Sequence, residues 1–258
     1  MFPFLENRLI FHPDRRLIAA PADYGLRFEE VRFPAGDGTL LHGWLMPPAG
    51  EATEPPPHVL FLHGNAGNIS HRLDQARGLL LQGLAVLLFD YRGYGRSRGR
   101  PSEAGLYQDA AGAHRFLVQD AGVDPRRIFP LGRSLGGAAA ADLALRRPMG
   151  GVIIESSFTS LRDMARSLVP FLPRGLASNR FDVLTRIRGL GIPALFVHGE
   201  RDELVPVAMG RRLYEAHPGP KDWYGLPRAG HNDTHIIGGS AYFQRLAAFI
   251  AGCLGRRP

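Results

Sequence analysis

Residues 128–147, IFPLGRSLGGAAAADLALRR, decide how the rest of this 258-residue chain is read. The apolar run 128–131 enters Gly132-Arg133-Ser134-Leu135-Gly136 and leaves through an alanine- and leucine-rich segment of strong helix propensity. That order predicts a strand, a sharp turn and a helix. Where strand and helix pass so closely, the positions two before and two after the serine tolerate little or no side chain, and both are glycine. Ser134 is then left projecting alone, with the backbone N–H of Leu135 at a helix N-terminus facing any anion that forms beside it. In a chain with 32 glycines the pentapeptide alone is weak evidence. Its context is stronger: neither G-x-G-x-x-G nor G-x-x-x-x-G-K-[ST] occurs at this turn, so a phosphate-binding loop is disfavoured.

Outward from that stretch, apolar runs alternate with helical patterns. The expected strands are 26–33 and 40–46, forming a hairpin around 35–38, then the VLFLHG run after His58, AVLLFD at 85–90, GVIIES at 151–156, ALFVHGERD at 194–202 and 222–226. Helices are expected at 70–81, 104–119, 207–216 and 241–254. Alternation of this kind implies a mostly parallel sheet with right-handed crossovers, covered by helices on both faces. At 258 residues with 45% hydrophobic content, one α/β domain spanning 1–258 suffices.

Ligands of open parallel sheets bind at the carboxyl ends of the strands, and the informative residues fall there. A serine hydroxyl needs a neighbouring base, and His231, in the AGHND loop after the last strand, is placed to lean back toward Ser134. His63 and His198 each end a strand in a His-Gly pair, where stabilising the turn is the expected role. A carboxylate must orient the base, and Asp202 precedes His231 in the order Ser, Asp, His. Glu200, Glu203 and, more distantly, Glu155 are rivals. A second oxyanion donor is expected from the glycine-rich loop 63–68, at the Asn65 N–H, paired with that of Leu135.

Taken together, HGNAGN at 63–68, DYRGYGRS at 90–97, GRSLGG at 132–137, HGERDELVP at 198–206 and GHND at 230–233 resemble the α/β-hydrolase superfamily. Within it the chain is similar to a subgroup of serine hydrolases that includes eukaryotic acyl-protein depalmitoylases and bacterial members without assigned function. The resemblance covers roughly 26–254 and implies Ser134 as nucleophile, Asp202 as acid and His231 as base, with Tyr91 in a strand-end turn that walls the site. The depalmitoylases' N-terminal cysteine cluster is missing here. The expected activity is hydrolysis of a small acyl ester or thioester through an acyl-enzyme, without a cofactor. Amide or peptide cleavage on the same residues, and a non-catalytic binding protein of the same fold, are the rivals.

Composition narrows the partners. The formal net charge is +7, but the arginines are scattered and no nucleic-acid motif occurs, so no nucleic-acid partner is expected. His231, Asp233 and His235 spell H-x-D-x-H, yet residues two apart point differently in strand or helix, and no metal site is expected. The single cysteine, Cys253, rules out an internal disulfide. No apolar run reaches the ~20 residues of a membrane span, and the chain reads as cytoplasmic. Phe2, Phe4, Leu9, Ile10 and Phe11 have two open fates, packing on the sheet edge or peripheral membrane contact. The oligomeric state is not legible. Residues 157–192 are the one insertion long enough to form a lid. Its pattern predicts an amphipathic helix (Leu161, Met164, Ala165, Leu168, Val169) and a proline-broken turn at Pro170 and Pro173. With Phe158, Phe171 and Leu172 it would give an acyl group an apolar wall, so rates should rise from acetyl to medium-chain esters.

Overall fold

The computed structural model describes residues 7, 9–50, 54–168 and 180–255. Eight strands form the central sheet: β1 (Glu29–Pro34), β2 (Leu40–Met46), β3 (His58–Leu62), β4 (Ala85–Asp90), β5 (Ile128–Arg133), β6 (Val152–Glu155), β7 (Ala194–Gly199) and β8 (Lys221–Leu226). Their order across the sheet is β1-β2-β4-β3-β5-β6-β7-β8. The β1–β2 and β2–β4 pairs are antiparallel and the remaining pairs parallel. This is the α/β-hydrolase fold, with the expected mostly parallel sheet.

The continuous apolar runs follow from burial on both faces. In β3, Leu60 and Leu62 join one core cluster while Val59 and Phe61 join a second, and in β4 Leu87 and Phe89 oppose Val86 and Leu88 in the same way. Helices α2 (Glu103–Arg115), α3 (Gly136–Arg146), α5 (Val183–Arg188) and α6 (Val207–Ala216) feed the first face through Leu106, Ala139, Ile187 and Leu213. Helices α1 (Leu73–Leu80) and α7 (Thr234–Gly255) cover the second through Leu79 and Leu246. Among the described residues no helix is long and apolar enough to cross a membrane.

Several boundaries differ from the sequence expectation for local reasons. β7 stops at Gly199 rather than 202, because Glu200 and Arg201 turn their N–H groups to Leu226 and Ala229. The helix expected at 70–81 begins as a 3₁₀ turn over Ile69–Arg72, where Asn68 caps the Ser70 N–H. α2 ends at Arg115 and loosens into a wider turn over Phe116–Asp120. The last helix begins at Thr234, not 241, and is broken at Gly239, whose φ of 52 lies in the left-handed region.

The predicted amphipathic helix in the long insertion is present as α4 (Leu161–Leu168). Leu161 and Met164 pack against the first core cluster, and Phe158 is 4% exposed within it. Val169, Pro170, Phe171, Leu172 and Pro173 lie outside the described residues, as do Phe2 and Phe4. Phe11 is buried edge-on against Phe181 at 6.0 Å, whereas Leu9 is exposed.

The turn between β5 and α3 brings backbone against backbone. A Cβ on Gly132 would lie 2.5 Å from the Gly136 carbonyl oxygen, and one on Gly136 only 1.9 Å from that of Leu62. Neither obstacle is a flexible side chain. Gly136→Ala should therefore lower the melting temperature by the equivalent of about 2 kcal/mol or more. Gly252→Ala, which meets nothing within 4 Å, should not. Equal melting temperatures for the two variants would contradict this packing.

Candidate active site

Ser134 follows β5 with φ of 53, left-handed backbone that a residue with a side chain adopts only when its surroundings enforce it. They do so from two sides. The Ser134 N–H donates to the Glu155 carbonyl at 2.8 Å, and the Ser157 hydroxyl donates to the Ser134 carbonyl at 2.9 Å. The side chain is thereby turned toward the loop after β8, where His231 is 6% exposed.

His231 Nε2 lies 3.1 Å from Ser134 Oγ, and its Nδ1 lies 2.7 Å from Asp202 Oδ2. The Asp202 side chain is fully buried, and its other oxygen accepts the N–H groups of Leu204 (2.9 Å) and Val205 (2.7 Å). Burial pushes its carboxyl up, but the hydrogen bonds from His198, His231 and Val205 outweigh burial and hold it well below the usual carboxylate range. It is therefore charged wherever His231 needs an anionic partner. His198 Nε2 sits 2.9 Å from the Val205 carbonyl and 3.4 Å from Asp202, so it braces the acid's own loop. Of the rival carboxylates, Glu200 is exposed, while Glu203 accepts the His231 backbone N–H at 3.3 Å and has no bond to its ring.

Glu155 has a different neighbourhood. Its fully buried carboxylate accepts Thr234 Oγ1 at 2.5 Å, Tyr242 OH at 2.6 Å and Gln75 Nε2 at 3.0 Å, with Arg133 Nε 3.7 Å away. Arg133 in turn donates to the His231 carbonyl (2.9 Å) and to Asn232 Oδ1 (3.3 Å). This network ties the elbow, the sharp turn from β5 into α3, together with α1 and α7 to the loop that carries His231. Nothing in the sequence singled out Arg133 beyond its place between Gly132 and Ser134.

The loop 63–68 is stitched to the N-terminal segment. The Asn65 carbonyl accepts the His12 N–H (2.9 Å) and the Tyr94 hydroxyl (2.7 Å), and its side chain donates to the Ile10 carbonyl. The Asn68 side chain donates to the carbonyls of Asp14 (3.1 Å) and Arg16 (2.7 Å). These bonds use the main-chain carbonyl and the side-chain Nδ2 of Asn65 and leave its N–H out. Among the hydrogen bonds of the described residues, the N–H groups of Asn65 and Leu135 have no acceptor.

Gly64, Asn65, Ala66, Arg72, Arg133, Ser134, Leu204, His231 and Asn232 line a cavity of about 130 Å³. Tyr91 and Phe158, both expected as walls, are not among them. Tyr91 is 1% exposed, its ring 4.3 Å from that of His63, and Phe158 packs in the core. An aromatic residue next to a strand end is equally a core residue, and only the turn of the loop separates the two. In H-x-D-x-H, Asp233 accepts the Gly230 N–H at 2.7 Å and the His235 ring faces Tyr242. Among the described residues no group of three or more His, Cys, Asp or Glu is arranged to hold a metal ion.

Comparison with known proteins places this geometry in a context. The family described as serine aminopeptidase, S33, matches residues 53–182. An uncharacterised protein of Mycobacterium tuberculosis (strain H37Rv) is 37% identical over 246 residues, which are 95% of this chain and 87% of the other. Protein bem46 of Schizosaccharomyces pombe is 33% identical, with 92% of this chain and 81% of its own covered. Among solved structures, the Pyrococcus furiosus esterase Pf2001 superimposes with a TM-score of 0.79 at 22% identity, over 95% of this chain and 100% of its own. That last likeness is one of fold.

His63, which opens the loop, gives this site a dependence on pH. Its ring is fully buried, with Nδ1 2.7 Å from the Gly64 carbonyl, the turn-bracing role expected of it. Burial lowers its pKa to about 4, although Asp90 opposes the shift. An unfolded histidine titrates near 6.5, so between about 6.5 and 4 the unfolded chain holds a proton that the native one does not. Stability therefore falls as pH drops through that window, by on the order of 3 kcal/mol from this residue. The slope of melting temperature against pH should be shallower in His63→Gln than in the native protein, and an unchanged slope would remove His63 from this role.

Proposed function

This chain belongs to the α/β-hydrolase superfamily of serine hydrolases, and from that premise we propose that it cleaves carboxylic esters or thioesters through an acyl-Ser134 intermediate. The observation that carries the reading is the unbroken line from Asp202 Oδ2 through His231 to Ser134 Oγ, at 2.7 and 3.1 Å.

Ser134 Oγ adds to the substrate's carbonyl carbon as its proton passes to His231 Nε2, and the Asp202 carboxylate balances the imidazolium that forms. The N–H groups of Leu135 and Asn65 receive the oxyanion. Each such donor is typically worth about 2.7–4 kcal/mol in the transition state. The tetrahedral adduct then collapses, expelling the alcohol or thiol with the proton from His231. Water next gives a proton to His231 and its oxygen to the acyl carbon. The carboxylic acid leaves as Ser134 recovers its proton, and no cofactor takes part in this sequence.

One feature favours ester or thioester over peptide substrates. An aminopeptidase would bring a free ammonium group close to Ser134, where Arg72 and Arg133 line the cavity and repel it. Ester and thioester groups carry no such charge. Leu161 and Met164 of α4 pack against the core, while Phe171 and Leu172, which the expected medium-chain preference also invokes, lie outside the described residues.

A fluorophosphonate probe should label Ser134, and Ser134→Ala should abolish both labelling and turnover of short-chain esters. Asp202→Asn should reduce kcat about 10⁴-fold, while Glu200→Gln stays near the native rate. Undiminished turnover in either Ser134→Ala or Asp202→Asn, measured on acetyl and propionyl esters, would falsify this mechanism.

A further inference from the structure

Acyl transfer at Ser134 leaves two guanidinium groups of the cavity without a chemical task. Arg72 ends the 3₁₀ turn before α1, and Arg133 immediately precedes the serine. No carboxylate is among the residues lining this cavity. Arg133 is 4% exposed and has partners: the His231 carbonyl, Asn232 and, at 3.7 Å, Glu155. The oxygens of Glu155 also serve Thr234, Tyr242 and Gln75, so this one buried carboxylate is heavily shared.

Arg72 is less well matched. One terminal nitrogen donates to the Ala66 carbonyl at 2.8 Å, but its Nε is buried with no hydrogen-bond partner among the described residues. Burial lowers the guanidinium's pKa to about 10, with Arg133 pushing in the same direction and Glu155 opposing. A second cation is thus held against a like charge, beside the nucleophile, with a donor unused. A planar guanidinium is matched by a carboxylate or a phosphate, which would meet Arg72 through its terminal nitrogens, not through the buried Nε, and offset the repulsion. Ser134 and Arg72 line the same small cavity of about 130 Å³, which places such an anion close to the reacting carbon.

We propose, resting on the acyl-transfer reading of Ser134, that the natural substrate carries a compact anion, a carboxylate or a phosphate, within a few bonds of the scissile carbonyl, and that Arg72 binds it with Arg133 on its flank. Arg72 is then a specificity-determining residue. Its bond to Ala66 joins the anion to the loop that presents the Asn65 N–H.

The test compares two acyl groups of nearly equal shape, one charged and one neutral. Monoethyl succinate and ethyl levulinate differ in the carboxylate, and ethanol release gives kcat/KM for each. The native protein should favour the charged ester by about tenfold or more. Arg72→Gln should bring that ratio close to one, and Arg72→Lys should restore part of it. Binding is read separately in Ser134→Ala, which does not turn over, by calorimetric titration with monomethyl succinate and with inorganic phosphate, with and without Arg72→Gln. Arg72-dependent binding of one of them identifies the anion: phosphate binding with a native ester ratio near one supports the phosphate form. A native ratio near one with no Arg72-dependent binding of either anion overturns the proposal. So does an equal fall of both esters in Arg72→Gln with the ratio preserved, since Arg72 would then only brace Ala66. If no ester is hydrolysed but anion binding still depends on Arg72, the acyl-transfer reading fails and the anion site stands.

Discussion

The close passage of α3 over the end of β5 is the constraint on which the remaining arrangement depends. With the would-be Cβ of Gly136 1.9 Å from the Leu62 carbonyl, no other residue type lets helix, β3 and β5 meet there. That contact forces Ser134 into left-handed backbone, and the forced backbone is what separates its hydroxyl from the sheet. Conformational strain of this kind, typically 1–3 kcal/mol, persists only where packing over-determines it. Here the packing includes the fully buried alanines 138–141, whose small side chains let the helix lie close to the sheet.

A strained serine is useful only if its partners stay within hydrogen-bond reach, and those partners stand on loops. The structure meets this with buried polar ties. Arg133 and Glu155 link the elbow to the His231 loop, and His198 with two backbone N–H groups fixes Asp202. Asn65 and Asn68 fasten the loop 63–68 to the N-terminal segment. Removing one member of a buried charged pair such as Arg133–Glu155 typically costs about 3–5 kcal/mol, because the remaining charge is left in a poorly solvated place. Glu155 is therefore a structural carboxylate, although its position at a strand end makes it resemble an acid for catalysis. The same ties concentrate positive charge at the cavity, which suits an oxyanion and disfavours an ammonium group.

Much of this was legible in the chain. Alternating apolar runs and helical patterns gave the parallel sheet, because strands buried on both faces must be apolar throughout. The glycines at 132 and 136 marked the elbow, because close backbone approach admits no Cβ. The separation and order of Ser134, Asp202 and His231 pointed to the strand ends that the fold brings together, and the three side chains do meet there. Less legible were element ends decided by single hydrogen bonds, such as the end of β7 at Gly199 and the cap at Asn68.

The fold and the residues that converge at its strand ends are thus written in the chain, since periodicity, glycine placement and chain order are local or topological properties. Which way neighbouring side chains turn is set by the assembled fold alone. Tyr91 and Phe158 face the core while Arg72 and Arg133 face the cavity, and Leu161 and Met164 of α4 pack inward. Those outcomes depend on contacts between segments remote in sequence: Arg133 meets His231 across 98 residues and Tyr242 meets Glu155 across 87. No local pattern encodes them, because burial and charge pairing are decided by whichever surfaces the folded chain brings together.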